Sequence, residues 1–370
     1  MALTTERRLP VTVVTGFLGA GKTTLLRHLL RQGSARLAVL VNEFGEVGID
    51  GDLIASCGFC PEDELDGRLV ELANGCLCCT VQDEFLPTMQ TLLQRADSLD
   101  GIVVETSGLA LPEPLVAAFR WPEIRSRCRV HAVVTVVDGE ALAQGHVVGD
   151  AEAVEAQRRA DPSLDHLEAI EDLFADQLAA ADLVLVSRAD LLDAESLAEV
   201  CGSLEPRLRP GTAVLPMARG AAPAELLLGR IEAAPPDAAG GNGPAAAIPG
   251  AGAPDHHDHD HHHDDHDHHD HHDHSHVAMR SLVLKRAGSW QRQTLEPQLQ
   301  QLIASHPVLR LKGRLQESGK RRCLQIQAVG PRLECWYEGE AEPGEEGVLE
   351  LVALVAAADG QRLEEALELL

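Results

Sequence analysis

Aromatic side chains are scarce. Only 3% of the 370 residues are aromatic: six Phe, three Trp and one Tyr. Hydrophobic content is an ordinary 45%, so the core must be aliphatic, built from Leu, Val and Ala. Positive charge is short as well. Lys and Arg total 31 against 58 Asp and Glu, a formal net charge of -27. That balance argues against nucleic acid or an anionic membrane as the main partner. No apolar run is long enough to span a bilayer. Charged residues at Glu6, Arg7 and Arg8 leave no room for a secretory h-region. These absences predict a cytoplasmic protein. Its nine cysteines are then expected as reduced ligands or core residues, not disulfides.

What is present starts with Gly16-Phe17-Leu18-Gly19-Ala20-Gly21-Lys22-Thr23. It fits G-x-x-x-x-G-K-[ST], a phosphate-binding P-loop. The β-branched run Val11–Thr15 precedes it as a buried strand, and Thr24–Leu30 follows as a helix. Glycines let the backbone wrap an anion, with N–H groups pointing inward and the helix N-terminus behind them. Lys22 is expected to reach the β/γ-phosphates and the Thr23 hydroxyl to hold Mg²⁺. Alternating strands and helices predict an α/β fold with a doubly wound, mostly parallel sheet.

Further strands follow at Leu37–Val41, Leu69–Leu72, Gly101–Glu105, Val130–Asp138 and Asp182–Ser187. Helical patterns cover 83–95, 167–180, 197–204 and 222–233. The loop after Val41 carries Glu43, Glu46 and Asp50, oxygen donors placed for a switch that contacts γ-phosphate and Mg²⁺. Glu105, at a strand end, is expected as the second Mg²⁺ anchor, where Asp is commoner. Gly108 can offer a backbone amide to the γ-phosphate. His131, inside a strand with no partner motif, reads as a core or strand-edge residue rather than a ligand.

Cysteines cluster at Cys76-Leu77-Cys78-Cys79. In extended chain Cys76 and Cys78 share a face and Cys79 points away. Thiolates suit Zn²⁺ and related ions, and two on one face leave coordination positions open. That predicts a transferable metal site. Cys57 and Cys60 read as a second half-site, a redox pair or neither. Ser187-Arg188-Ala189-Asp190 stands where GTPases carry N-K-x-D. Asp190 can accept from guanine N1–H and N2–H₂, Arg188 can lie over the base, and Ser187 lacks the bracing amide. GTP is the expected nucleotide.

Residues 1–233 are therefore expected as a P-loop domain and 234–276 as a linker. Within it, Asp255–His276 holds 13 of the 18 histidines and eight Asp, a tract that binds metal weakly and cannot pack a core. Residues 277–370 read as a second, smaller α/β domain. Its strands are expected at 281–284, 323–329, 333–337 and 348–355, and its helices at 299–306 and 361–370. Leu324, Ile326 and Ala328 share one buried face. Cys323 and Cys335 read as packing residues, and Lys312 with Lys320-Arg321-Arg322 as a solvated face or a partner- or nucleotide-facing surface.

Together the P-loop, Asn42-Glu43-Phe44-Gly45, Cys76-x-Cys78-Cys79, Glu105-Thr106-Ser107-Gly108 and the His-rich linker resemble the CobW family of P-loop GTPases. The resemblance extends through Ala328-Val329-Gly330-Pro331-Arg332. It implies a GTPase that acts as a metallochaperone and delivers Co²⁺ to a client such as the cobaltochelatase of cobalamin synthesis. Relatives that handle Zn²⁺ imply the alternative cargo, and a non-enzymatic metal store is the rival from another class. Carried over by position, Gly16, Gly19, Ala20, Gly21, Lys22, Thr23 and Thr24 bind phosphate. Lys22, Glu43 and Glu105 serve catalysis. Gly108, Ser187, Arg188 and Asp190 complete the nucleotide site. Thr23, Glu43 and Glu105 lie around Mg²⁺, and Cys76, Cys78 and Cys79 are the candidate transfer-metal ligands.

Overall fold

The computed structural model describes residues 8–31, 35–41, 69–71, 85–160, 170–228, 278–340 and 346–370. β1 (Leu9–Thr15) is wholly buried. It lies at the centre of a seven-stranded sheet ordered β3-β2-β4-β1-β5-β6-β7. The other strands are β2 (Leu37–Val41), β3 (Leu69–Glu71), β4 (Gly101–Glu105), β5 (Cys128–Asp138), β6 (Leu183–Ser187) and β7 (Ala213–Pro216). Every pairing is parallel. Sheets of this kind are buried on both faces, which is why these strands read as continuous apolar runs rather than alternating ones.

Helices cover the two faces. On one, Leu25, Leu26 and Leu29 of the helix Lys22–Arg31 pack with Leu226, Leu227 and Leu228. On the other, Phe85, Met89 and Leu92 pack with Leu115 and Ile124. Three of the few aromatics lie here, and the Phe85 ring meets Phe119 edge-on at 5.3 Å. The core is otherwise Leu, Val and Ala, as the composition requires. His131 sits at a register shift between β1 and β5, because Val11 pairs with Val130 and Thr12 with Ala132. It is 4% exposed. Burial first, then Arg310 and Arg129, drives its pKa well below the usual value, so it is a neutral core residue.

The C-terminal domain is a five-stranded antiparallel sheet ordered β11-β10-β9-β12-β8. Its strands are β8 (Met279–Ala287), β9 (Val308–Leu315), β10 (Arg322–Val329), β11 (Arg332–Glu340) and β12 (Val348–Ala356). Alternation is clean where one face is covered. Leu324, Ile326 and Ala328 are 1%, 0% and 2% exposed, and Leu349, Leu351, Ala353 and Val355 are fully buried with them. The helices Arg292–Ser305 and Gly360–Glu368 cover that face through Leu295, Leu299, Leu363 and Leu367.

Both sheets belong to one compact unit. Leu309 of β9 and Val329 of β10 join the apolar cluster beneath the P-loop helix. Asp182, fully buried, accepts from the Val133 amide at 2.8 Å, from Arg209 Nη2 at 2.7 Å and from Arg332 Nε at 2.5 Å. That carboxylate ties β11 to the start of β6. Gly330, with φ +48°, turns against it so closely that a Cβ would lie 2.0 Å from the Asp182 carbonyl oxygen.

Candidate nucleotide site

The C-terminal ends of β1, β4, β5 and β6 converge on one loop cluster. Parallel α/β sheets place their ligands in this crevice. The P-loop turn depends on glycine at two points. Gly16 has φ +133°, and a Cβ there would strike the Val136 carbonyl oxygen at 2.1 Å. Gly21 has φ +104°. Lys22 is buried and folds back over its own loop, donating to the Gly16 carbonyl at 2.8 Å and the Phe17 carbonyl at 3.0 Å. A bound phosphate is a better acceptor for that ammonium than two neutral carbonyls.

β4 brings the second half. Thr23 Oγ1 donates to Glu105 Oε1 at 3.3 Å, across 82 residues of sequence. Glu105 is 4% exposed. A hydroxyl from the first turn of the helix Lys22–Arg31 and a carboxylate oxygen from the end of β4 are hard oxygen donors of the kind that suits Mg²⁺. The next residue, Thr106, extends the β1–β4 ladder through its amide to the Val14 carbonyl at 2.9 Å. Its hydroxyl donates to Thr15 Oγ1 at 3.0 Å. Gly108 then presses on the P-loop, where a Cβ would lie 2.6 Å from the Leu18 amide nitrogen. This close approach requires glycine.

Residues invisible to the motif reading hold this loop. Gln177, buried on the helix Ile170–Ala180, donates to the carbonyls of Gly108 at 3.2 Å and Ala110 at 3.4 Å. Asp138 caps the helix Gly139–Ala143 through the amides of Glu140 and Ala141 and pairs with Arg188 Nη1. Arg188 adopts the left-handed region at φ +55°. Its guanidinium, expected over a base, reaches Asp138 and the Gly19 carbonyl at 3.3 Å instead. Asp190 pairs with Arg219 at 3.4 Å, so the loop after β7 joins the loop after β6. Ser187 is buried, and its hydroxyl has no hydrogen-bond partner among the described residues. It meets the P-loop by packing, 3.4 Å from where a Gly21 Cβ would stand.

Thus Gly16, Gly19, Ala20, Gly21, Lys22, Thr23, Thr24, Glu105, Gly108, Ser187, Arg188 and Asp190 lie on loops and element ends at one end of the parallel sheet. Glu43, Cys57, Cys60, Cys76, Cys78, Cys79 and the His/Asp tract lie outside the described residues. Among the described residues no three His, Cys, Asp or Glu side chains gather to hold a metal ion. Among the described residues, Cys128, Cys201, Cys323 and Cys335 form no disulfide. Burial pushes the thiols of Cys128 and Cys335 up to about 12, which keeps both protonated and inert at neutral pH. No described helix is long and apolar enough to cross a membrane.

A parallel sheet with this P-loop, and a carboxylate facing its threonine, defines a P-loop GTPase fold carrying a second, antiparallel domain. Residues 10–216 match the CobW/HypB/UreG nucleotide-binding domain, and residues 279–370 match the cobalamin synthesis protein CobW C-terminal domain. The chain belongs to this family. It is 45% identical to the zinc chaperone CobW of Pseudomonas aeruginosa, over 99% of this chain and 91% of that protein. It is 41% identical to the zinc chaperone CobW of a Sinorhizobium species, over 94% and 93% of the two chains. A zinc-regulated GTPase metalloprotein activator of Schizosaccharomyces pombe is 34% identical over 52% of this chain and 41% of its own.

Proposed function

We propose that the protein is a GTP-hydrolysing metallochaperone whose nucleotide state sets its hold on a divalent cargo ion. The observation that carries this is the Thr23–Glu105 contact at 3.3 Å beside a P-loop lysine. It makes a phosphate site with its own metal anchor, on the strand whose following loop packs on the P-loop. Lys22 would leave its two carbonyls for the β/γ-phosphates. Thr23 and Glu105 would hold Mg²⁺, which supplies charge neutralisation at the phosphate oxygens. The Thr106–Gly108 loop, pressed on Leu18, would shift when a γ-phosphate meets the Gly108 amide. Cys76, Cys78 and Cys79, with Glu43, would take the cargo ion in the GTP state and release it after hydrolysis.

Zinc is the favoured cargo, supported by the names of the two full-length relatives. Cobalt delivery to a cobaltochelatase draws no support from those names. It stands as the second cargo, and thiolate affinity also runs against it, since Zn²⁺ lies above Co²⁺ in the Irving–Williams order. The test loads the full chain with Zn²⁺ and Mg·GTP, and follows zinc with a fluorescent chelator during turnover. Release should track phosphate production and stall with a non-hydrolysable GTP analogue. Equal release rates with GTP, GDP and the analogue would contradict the reading.

A further inference from the structure

Arginines gather at the end of the parallel sheet opposite the P-loop. A cavity of about 270 Å³ opens there between the two sheets. Arg8 lines it from just before β1, Arg120 from just before the short helix Pro122–Arg125, and Arg125 from the last turn of that helix. Arg129 lines it from β5, and Arg332 and Glu334 from β11. Five arginines and one glutamate thus line it, in a chain whose formal net charge is -27.

The site is organised. The side chain of Arg129 is only 9% exposed and pairs with Glu334 at 3.5 Å. Its guanidinium lies 4.3 Å from the centre of the Trp336 ring, and that of Arg8 lies 5.3 Å away. Stacking on an aromatic face fixes a guanidinium without neutralising it. Arg332 is anchored to Asp182. The guanidinium groups of Arg120 and Arg125 are exposed and make no ion pair or hydrogen bond among the described residues.

Positive charge also continues behind the wall. Arg310 is fully buried and donates to the Glu225 carbonyl, while its Nε and Nη2 have no partner among the described residues. Burial, with Arg129 close enough to add to it, lowers its pKa to about 10. Buried cations ordinarily carry an opposite charge. Here the described protein groups supply too few.

We infer that this cavity binds a compact polyanion bearing two or three phosphate or carboxylate groups. Planar guanidinium forks match both chemistries in bidentate geometry. The volume falls below the roughly 300–1,000 Å³ of sites that enclose drug-sized ligands, so the occupant is small. It is not the nucleotide site. Arg129 and Asp138 are nine residues apart on β5, about 30 Å at roughly 3.3 Å per residue. Because both domains line the cavity, the anion would fasten one to the other.

The experiment titrates the metal-free, GDP-loaded full chain by calorimetry with pyrophosphate and, separately, with propane-1,2,3-tricarboxylate. GDP already fills the P-loop. Saturable 1:1 binding of at least one probe is expected, weakened tenfold or more in Arg120→Ala/Arg125→Ala. The GDP affinity and melting temperature of that variant without probe should match the parent, since both side chains are exposed. Binding should change the Trp336 emission, and Trp336→Phe should remove the change. The tighter probe assigns the phosphate or the carboxylate class. No saturable heat with either probe, an unchanged affinity in the double variant, or displacement of GDP by the probe would each overturn the inference.

Discussion

The two ends of the parallel sheet are built for opposite purposes. At the P-loop end, Lys22 rests on two neutral carbonyls, Gly16 and Phe17, that a ligand can replace, and Arg188 spans Asp138 and the Gly19 carbonyl. At the other end a fully buried carboxylate, Asp182, takes one amide and two arginines from separate elements. The P-loop contacts are provisional, and the Asp182 tie at the other end is permanent. A switch needs both, because a loop can move on nucleotide binding only if the sheet that carries it stays fixed. β5 spans the difference, with Arg129 and His131 near one end and Asp138 at the other.

The largest effect should come from the fixed end. Asp182→Ala leaves Arg209 and Arg332 facing a hole, and breaking a buried pair costs about 3–5 kcal/mol. Chemical denaturation should show that loss while GTP affinity of the folded variant at 25 °C stays within about twofold. A large change in affinity would mean the two ends are not separate. Lys22→Ala should do the reverse. Its main loss should be in GTP turnover, which falls about 10²–10³-fold, the scale for losing one charge-stabilising group.

His131 gives a pH signature of the fixed end. Its folded pKa lies well below the usual 6.5, so the unfolded chain takes up a proton that the folded chain refuses. The stability this contributes is complete above about pH 6.5 and is lost as pH falls below it, by up to about 1.4 kcal/mol per unit. Denaturation midpoints of His131→Gln should show that slope removed between pH 6.5 and 5. The smallest effect belongs to Arg188→Ala. Its pair with Asp138 is made by a side chain 41% exposed, so stability should change by less than about 1 kcal/mol. Nucleotide affinity, measured by titration, should drop only severalfold.

Sequence carried the provisional end well and the fixed end poorly. Gly16 to Thr23 is legible because the whole motif lies in one continuous segment, and its glycines answer positive φ at fixed offsets. Central strands are legible because burial on both faces leaves uninterrupted apolar runs. β9 escaped because Lys312, Gly313 and Arg314 break its pattern, and its polarity is tolerated by ion pairs such as Arg314–Glu350 at 2.6 Å. The helix Arg292–Ser305 starts earlier than its expected 299 and runs through Pro297, a residue that ordinarily interrupts a helix. Asp182 read as the first residue of a strand. Nothing local announces that its partner, Arg332, is 150 residues away. Gln177 was equally silent, since a buried glutamine on a helix shows its role only through the Gly108 and Ala110 carbonyls it meets.

The most direct measurement is the thiolate-to-Co²⁺ charge-transfer absorption of the full chain without nucleotide, with Mg·GDP and with Mg·GTP. Histidines of the acidic tract do not produce this band, so it reports the cysteines alone. A nucleotide-gated chaperone predicts a strong band with Mg·GTP, a weak one in the other two states, and its loss in Cys78→Ser and Lys22→Ala. By linkage, Co²⁺ should tighten GTP by the same factor that GTP tightens Co²⁺. A band of equal strength and equal affinity in all three states would contradict the claim that the P-loop end controls the metal.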